Sequence, residues 1–203
     1  RALWSGHVNP AIWKDGLEHW LAMDKAASEH FAAVPYADTP AIVQELLGKV
    51  DFSSRALAFT ILTAVRTNEA LKAEWSEFDL DAATWIIPAE RMKAGRQHRV
   101  PLPSAAVELL RKQPRFQGNS FVFPGAKRGK PLSNMAMLEV LRGMKGHGWT
   151  VHGFRSSFRD WISDTTLHSS EIAESALAHV IGNKTEAAYR RGEAYDRRAI
   201  LMQ

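Results

Sequence analysis

The sequence predicts a mainly α fold with a small antiparallel β-sheet. Apolar residues recur at helical spacing along most of the chain. In one stretch, residues 83–102, the period shortens and proline and turn residues interrupt it. There are no internal repeats, no low-complexity segments and no apolar run of about 18 residues, so a membrane span is not expected.

Residues 1–38 read as an irregular linker that packs on the body. Asn9-Pro10 breaks structure, and Trp4, Trp13 and Trp20 are scattered through polar sequence. Thr39 suits an N-cap and Pro40 the first helical position. Ile42, Val43, Leu46 and Leu47 then give one apolar face, with Gly48 near the end. Residues 53–65 are apolar nearly all round, which predicts a helix buried in the core. Arg66 follows, and residues 69–75 turn into a short second helix.

Residues 83–88 and 98–102 read as two strands joined by a turn over Met92-Lys93-Ala94-Gly95-Arg96. Phe121-Val122-Phe123 is the candidate third strand. The remaining segments read as helices. One covers residues 105–112, and another runs from a Ser133 cap to about Lys145. A third spans 154–164 with Phe154, Phe158, Trp161 and Ile162 on one face. A fourth runs from Ser169 and Ser170 to near His179, and two more cover 184–191 and 194–202.

The chain has 203 residues, enough for one large domain or two small ones. It begins at Arg1 without a signal-peptide pattern and is expected to be a piece of a longer protein. Zero cysteines rule out disulfides and cysteine–zinc sites and fit a cytoplasmic setting. The net charge of +4 is unevenly spread. Residues 1–110 hold 11 Lys/Arg and 14 Asp/Glu, a net of −3; residues 111–203 hold 15 and 8, a net of +7. A basic half suits a polyanion such as nucleic acid, and it equally suits a solvated surface.

The chemistry-bearing residues fall in four places. His152 and Arg155 stand at a predicted helix start, where free N–H groups and the helix dipole favour an anion. The planar fork of Arg155 can bind two phosphate oxygens, and Arg159, four residues on, shares its face. Alone, this pattern also fits a capping histidine and a surface arginine. Arg66 is mounted on the end of an apolar helix, and Glu69 is placed to orient its guanidinium; an ordinary ion pair is the plainer alternative. Lys93 occupies a turn with Arg96 and Arg99 nearby, and a solvated hairpin tip is the commoner meaning. His179 ends one helix, Gly182 allows a turn, and Tyr189 follows with Arg190 and Arg191 behind it and Ala187 and Ala188 leaving room. This suits an exposed nucleophile beside a cationic pocket.

Arg66, Lys93, His152, Arg155, His179 and Tyr189 stand in the order of the tyrosine-recombinase signature, and from about Thr39 onward the chain resembles the catalytic domain of that phage-type integrase family. It looks most like the integrases of satellite phages and genomic islands. Similar segments there are Trp75-Ser76-Glu77-Phe78-Asp79, residues 92–102, residues 151–161 and residues 178–191. Asn68 replaces a frequent glycine, and the His179–Tyr189 gap is one residue longer than in many members. Tyr195 lies too far beyond His179 to fit the pattern.

The resemblance implies the DNA breaking–rejoining fold over residues 39–203, with residues 1–38 a linker from an N-terminal DNA-binding region. It implies attack by Tyr189 on a phosphodiester of duplex DNA to give a 3′-phosphotyrosyl intermediate. Arg66 and Arg155 would hold the phosphate, Lys93 would protonate the leaving 5′-oxygen, His152 would assist at the nucleophile and His179 would hydrogen-bond the phosphate. It implies no metal and no cofactor. The implied partners are double-stranded DNA at attachment sites, further copies of the chain in a tetramer on DNA, and a host bending factor or an excisionase. Lys127, Arg128 and Lys130 form a candidate DNA-backbone loop, with Arg96, Arg99, Arg159, Arg190 and Arg191 as further contacts. Alternatives are a type IB topoisomerase-like enzyme, a non-catalytic helical DNA-binding domain and a helical interaction module.

Overall fold

The computed structural model describes residues 32–144, 148–179 and 194–203. The described chain opens with a 3-10 turn, Tyr36–Asp38, followed by helix α1, Thr39–Leu47. Asp38, not Thr39, occupies the N-cap position, because the 3-10 turn runs directly into the helix. Pro40 is in the first turn as expected.

Helix α2, Phe52–Thr63, is capped by Asp51, whose side chain accepts from the Ser54 N–H at 2.8 Å. It is the central helix, with Ala56, Leu57, Ala58 and Phe59 fully buried. Phe59 is the hub of the core. Its ring lies 5.4 Å from Trp85, 5.6 Å from Phe123 and 6.0 Å from Phe78, in tilted or edge-on arrangements that aromatic pairs favour. Ala64 ends α2 in the left-handed conformation, φ 51°. That reversal leads into a short helix α3, Thr67–Leu71, with Arg66 at its N-cap.

The sheet is an antiparallel meander of β1 (Phe78–Asp79), β2 (Thr84–Ile87) and β3 (His98–Pro101). Trp85 pairs with both Phe78 and Val100, and Ile87 with His98. The two long strands match expectation; the third strand does not. Phe121-Val122-Phe123 makes only an isolated bridge, Glu74 to Phe121. Its Val122 and Phe123 are buried by packing on the core rather than by strand pairing.

Helix α4, Ser104–Arg111, and helix α5, Ala136–Gly143, flank the core. Ser133 does not cap α5: Met135 holds the N-cap position, and Ser133 contributes its carbonyl to a preceding turn, accepting from the Ala136 N–H at 3.1 Å. Helix α6, Gly153–Thr165, helix α7, Ser170–Ala176, and helix α8, Tyr195–Met202, enclose a second cluster of Ile162, Ile172, Ala173, Ala176 and Leu201. The expected helix over residues 184–191 lies outside the described residues. None of the helices described is long and apolar enough to cross a membrane.

Candidate active site

The site forms where α2, α3, α6 and α7 end or begin against one another. Glu69 is buried at 4% exposure, and its carboxylate holds Arg66 twice. Oε2 accepts the Arg66 backbone N–H at 2.9 Å, and Oε1 accepts Nη1–H at 2.9 Å. The backbone bond caps α3 and the side-chain bond orients the guanidinium, as the three-residue spacing suggested. The other arm of Arg66, Nη2, donates to the Ala178 carbonyl at 3.1 Å.

Arg155 departs from the sequence reading. It does not share an exposed face with Arg159; it is 5% exposed, whereas Arg159 is at the surface with Nε 3.1 Å from Glu174. Arg155 turns inward because two helix ends offer carbonyls. Its Nη1 donates to Ala64 O, freed by the left-handed turn at the end of α2. Its Nη2 donates to Leu177 O at 2.6 Å and meets His179 Nε2 at 3.0 Å. Both carbonyls lie at the negative ends of helix dipoles, which suit a buried cation. Burial, then the charge of Arg66, pushes the Arg155 pKa down to about 10, so the guanidinium stays cationic at neutral pH. Its buried Nε has no partner among the described residues.

Helix α7 therefore ends in a carbonyl ledge: Leu177 O serves Arg155 and Ala178 O serves Arg66. Ala178 is left-handed, φ 49°, and turns the chain at the end of the helix; Gly182, where a turn is expected, lies outside the described residues. His179 follows, and its Nδ1 lies 2.6 Å from Glu174 Oε2.

His152 sits at the N-cap position of α6, but capping is done by Thr150, whose Oγ1 accepts the Gly153 N–H at 2.9 Å. Gly153 is required for a different reason. A Cβ there would lie 2.3 Å from the Ala32 carbonyl, so only glycine lets residues 32–34 pass over the helix start. Partial burial of its ring, then the charges of Arg155 and Arg66, lower the His152 pKa although the residue as a whole is exposed.

Lys93 is exposed on the β2–β3 connection, in a turn closed by Gly95 N–H to Met92 O at 3.0 Å. Gly95 has φ +62°, a conformation that favours glycine. None of the contacts described joins Lys93 to the arginine cluster. Arg96 is exposed on the same connection, while Arg99 packs its guanidinium 4.1 Å over the Tyr195 ring. Lys127, Arg128 and Lys130 are exposed on a loop closed by Gly125 N–H to Lys130 O at 2.8 Å. Tyr189, Arg190 and Arg191 lie outside the described residues. No cluster of His, Asp and Glu among the described residues could hold a metal ion.

Sequence reasoning missed Glu174, Arg91 and His98. His98, on β3, is pushed down to a pKa of about 4 by burial first, then by Arg198, Arg66 and Arg155, and it is hydrogen-bonded to the Ala176 backbone. Only its place after the turn could have pointed to it.

A family model described as the phage integrase family matches residues 39–194. Over 179 residues the chain is 39% identical to the prophage integrase IntZ of Escherichia coli K12, covering 86% of this chain and 44% of that protein. It is 31% identical to the integrase of enterobacteria phage P4, covering 90% and 46%. The chain thus spans about half the length of the curated relatives it matches. Among solved structures, a lambda integrase dimer bound to a COC' core site is similar with TM-score 0.56 and 20% identity, over 79% of this chain and 62% of that one. XerA recombinase is similar with TM-score 0.59 and 14% identity, over 83% and 64%. These likenesses establish the fold as that of tyrosine-recombinase catalytic domains.

Proposed function

The chain belongs to the phage integrase family, and we propose that it is the catalytic part of a site-specific recombinase that inserts or excises prophage or island DNA. The observation that carries this reading is the ledge at the end of α7. It holds Arg66 and Arg155 side by side with His179, ten residues before Tyr189.

In this reading the Tyr189 oxygen attacks the scissile phosphorus. A tyrosyl–phosphate bond forms, and the bond from phosphorus to the 5′-oxygen breaks. His152 takes the phenol proton; its lowered pKa leaves the ring neutral and able to accept at pH 7. Lys93 gives a proton to the leaving 5′-oxygen. Arg66, and Arg155 through its unpartnered Nε–H, stabilise the charge that builds on the non-bridging oxygens. Helices that fix both guanidiniums in advance reduce the reorganisation the step requires. Residues 39–203 would be the catalytic domain and residues 1–38 a linker. Duplex DNA and further copies of the chain are the partners, supported by the lambda integrase structures, one a dimer bound to a core site and another a tetramer bound to a Holliday junction. A host bending factor or an excisionase would join them, and the bacterial cytoplasm is the setting. The integrase relatives favour recombination over simple relaxation or passive binding.

The test is incubation with supercoiled plasmid in EDTA and a denaturing gel for protein–DNA adducts. Wild type and Tyr195→Phe should both form an adduct, since the Tyr195 hydroxyl is hydrogen-bonded to Thr84 Oγ1. Tyr189→Phe should form none. An adduct that survives Tyr189→Phe refutes the assignment.

A further inference from the structure

We propose that Arg91 is a positioning residue that sets Lys93 against Arg66. The inference rests on the role just given to Lys93, and its test separates the two.

Ten residues, 88–97, link Ile87 to His98, the last paired positions of β2 and β3. Within this connection the backbone bonds are local: Arg91 N–H to Pro88 O, Met92 N–H to Ala89 O and Gly95 N–H to Met92 O. Met92 is buried and gives an apolar anchor. Among the described residues, the hydrogen bonds that tie this connection to other elements come from the Arg91 side chain. Nη1 donates to the Glu69 carbonyl at 3.2 Å. Nη2 donates to Glu77 Oε2. That same oxygen accepts Trp85 Nε1–H at 2.9 Å and the Glu74 N–H at 3.3 Å.

Glu69 is the residue whose carboxylate clamps Arg66. A short path therefore runs from Lys93, two residues along the backbone to Arg91, across one guanidinium to Glu69, and through its carboxylate to Arg66. Arg91 and Glu77 side chains are only 18% and 11% exposed, so water replaces these bonds poorly. The planar fork reaches acceptors on two different elements at once, which a lysine ammonium cannot reproduce.

The assay is single-turnover cleavage of a duplex built around the cleavage position mapped from covalent adducts. One version carries the normal 5′-oxygen at the scissile phosphate, the other a bridging 5′-sulfur. A thiolate leaves without a proton, so the sulfur duplex removes the need for Lys93. The readout is the sulfur-to-oxygen rate ratio of each variant, from which the folded fraction cancels. Lys93→Ala should be slow on oxygen and recover on sulfur. Arg91→Ala should fall about 10²-fold on oxygen and recover on sulfur, and Arg91→Lys should show the same pattern more weakly. Arg66→Ala should be slow on both. If both Arg91 variants keep the wild-type ratio, the inference is overturned while the role of Lys93 stands. If Lys93→Ala itself does not recover, the reading of Lys93 fails and the inference with it. Should Arg91→Ala not fold, the ratio for Arg91→Lys decides.

Discussion

Nε2 of His179 lies 3.0 Å from Nη2 of Arg155, and only one polarity of that contact is chemically allowed. Arginine has no acceptor, so Nε2 accepts. The ring proton is then on Nδ1, where it is donated to Glu174 Oε2 at 2.6 Å. Glu174 thus fixes both the tautomer and the plane of the ring. We predict that Glu174→Ala lowers DNA cleavage by about 10²-fold through misplacement of His179. Glu174→Gln, which can still accept the Nδ1–H, should retain most of the rate. Single-turnover cleavage checks this. Equal rates for Glu174→Ala and wild type would show that His179 does not need its partner.

His98 ties stability to pH. Its folded pKa is about 4 against 6.5 for an unperturbed histidine, through burial and then the charges of Arg198, Arg66 and Arg155, which face it from α8, α3 and α6. Between these values the unfolded chain binds the proton more readily than the folded one. Stability therefore rises with pH through this window and is lost as pH falls from about 6.5 toward 4. At pH 5 the loss from this residue is about 2 kcal/mol. His98→Gln should remove that part of the acid loss, leaving a smaller one from His152, whose pKa is lowered too. Denaturant unfolding at pH 7.5 and pH 5 compares the two proteins. Identical acid losses would contradict the burial of a neutral His98.

Much of this architecture was legible in the sequence, and the exceptions have physical causes. Helix α2 was readable because its apolar residues leave no polar face. The β2–β3 hairpin was readable because a glycine turn separates the β-branched and aromatic run Thr84–Ile87 from a second short segment around Val100. Phe121-Val122-Phe123 misled because burial and strand pairing give the same apolar run; here Phe123 packs on Phe59, and the backbone makes isolated bonds to Ala73 and Leu132 rather than a strand ladder. The true third strand is two residues long, too short for any period. Arg66 and Glu69 were readable together because their bond spans three residues. The four-residue spacing puts Arg155 on one face with Arg159 and cannot show that Arg155 turns inward, because its acceptors, Ala64 O and Leu177 O, lie 91 and 22 residues away. Glu174 and Arg91 carry no local pattern; tertiary contacts alone give them partners.

The loop of Lys127, Arg128 and Lys130 separates charge from chemistry. All three side chains are exposed. Arg128 lies across Gly118, whose φ of +77° favours glycine. The loop is held at its base by the Pro124–Pro131 bridge, and none of its charged residues touches the arginine cluster in the contacts described. If the loop follows the DNA backbone, each cation releases about one counterion on binding. Replacing all three with glutamine should then reduce the slope of log binding constant against log salt by up to about 3. Affinity at low salt should fall for every duplex sequence alike, because phosphates carry no base identity. The rate of the chemical step on saturating DNA should remain near wild type. Fluorescence anisotropy over a salt series gives the slope, and single-turnover cleavage gives the rate. An unchanged slope would remove the loop from the interface. A slope that falls by only one would leave a single phosphate contact, and the three single variants would show which cation makes it.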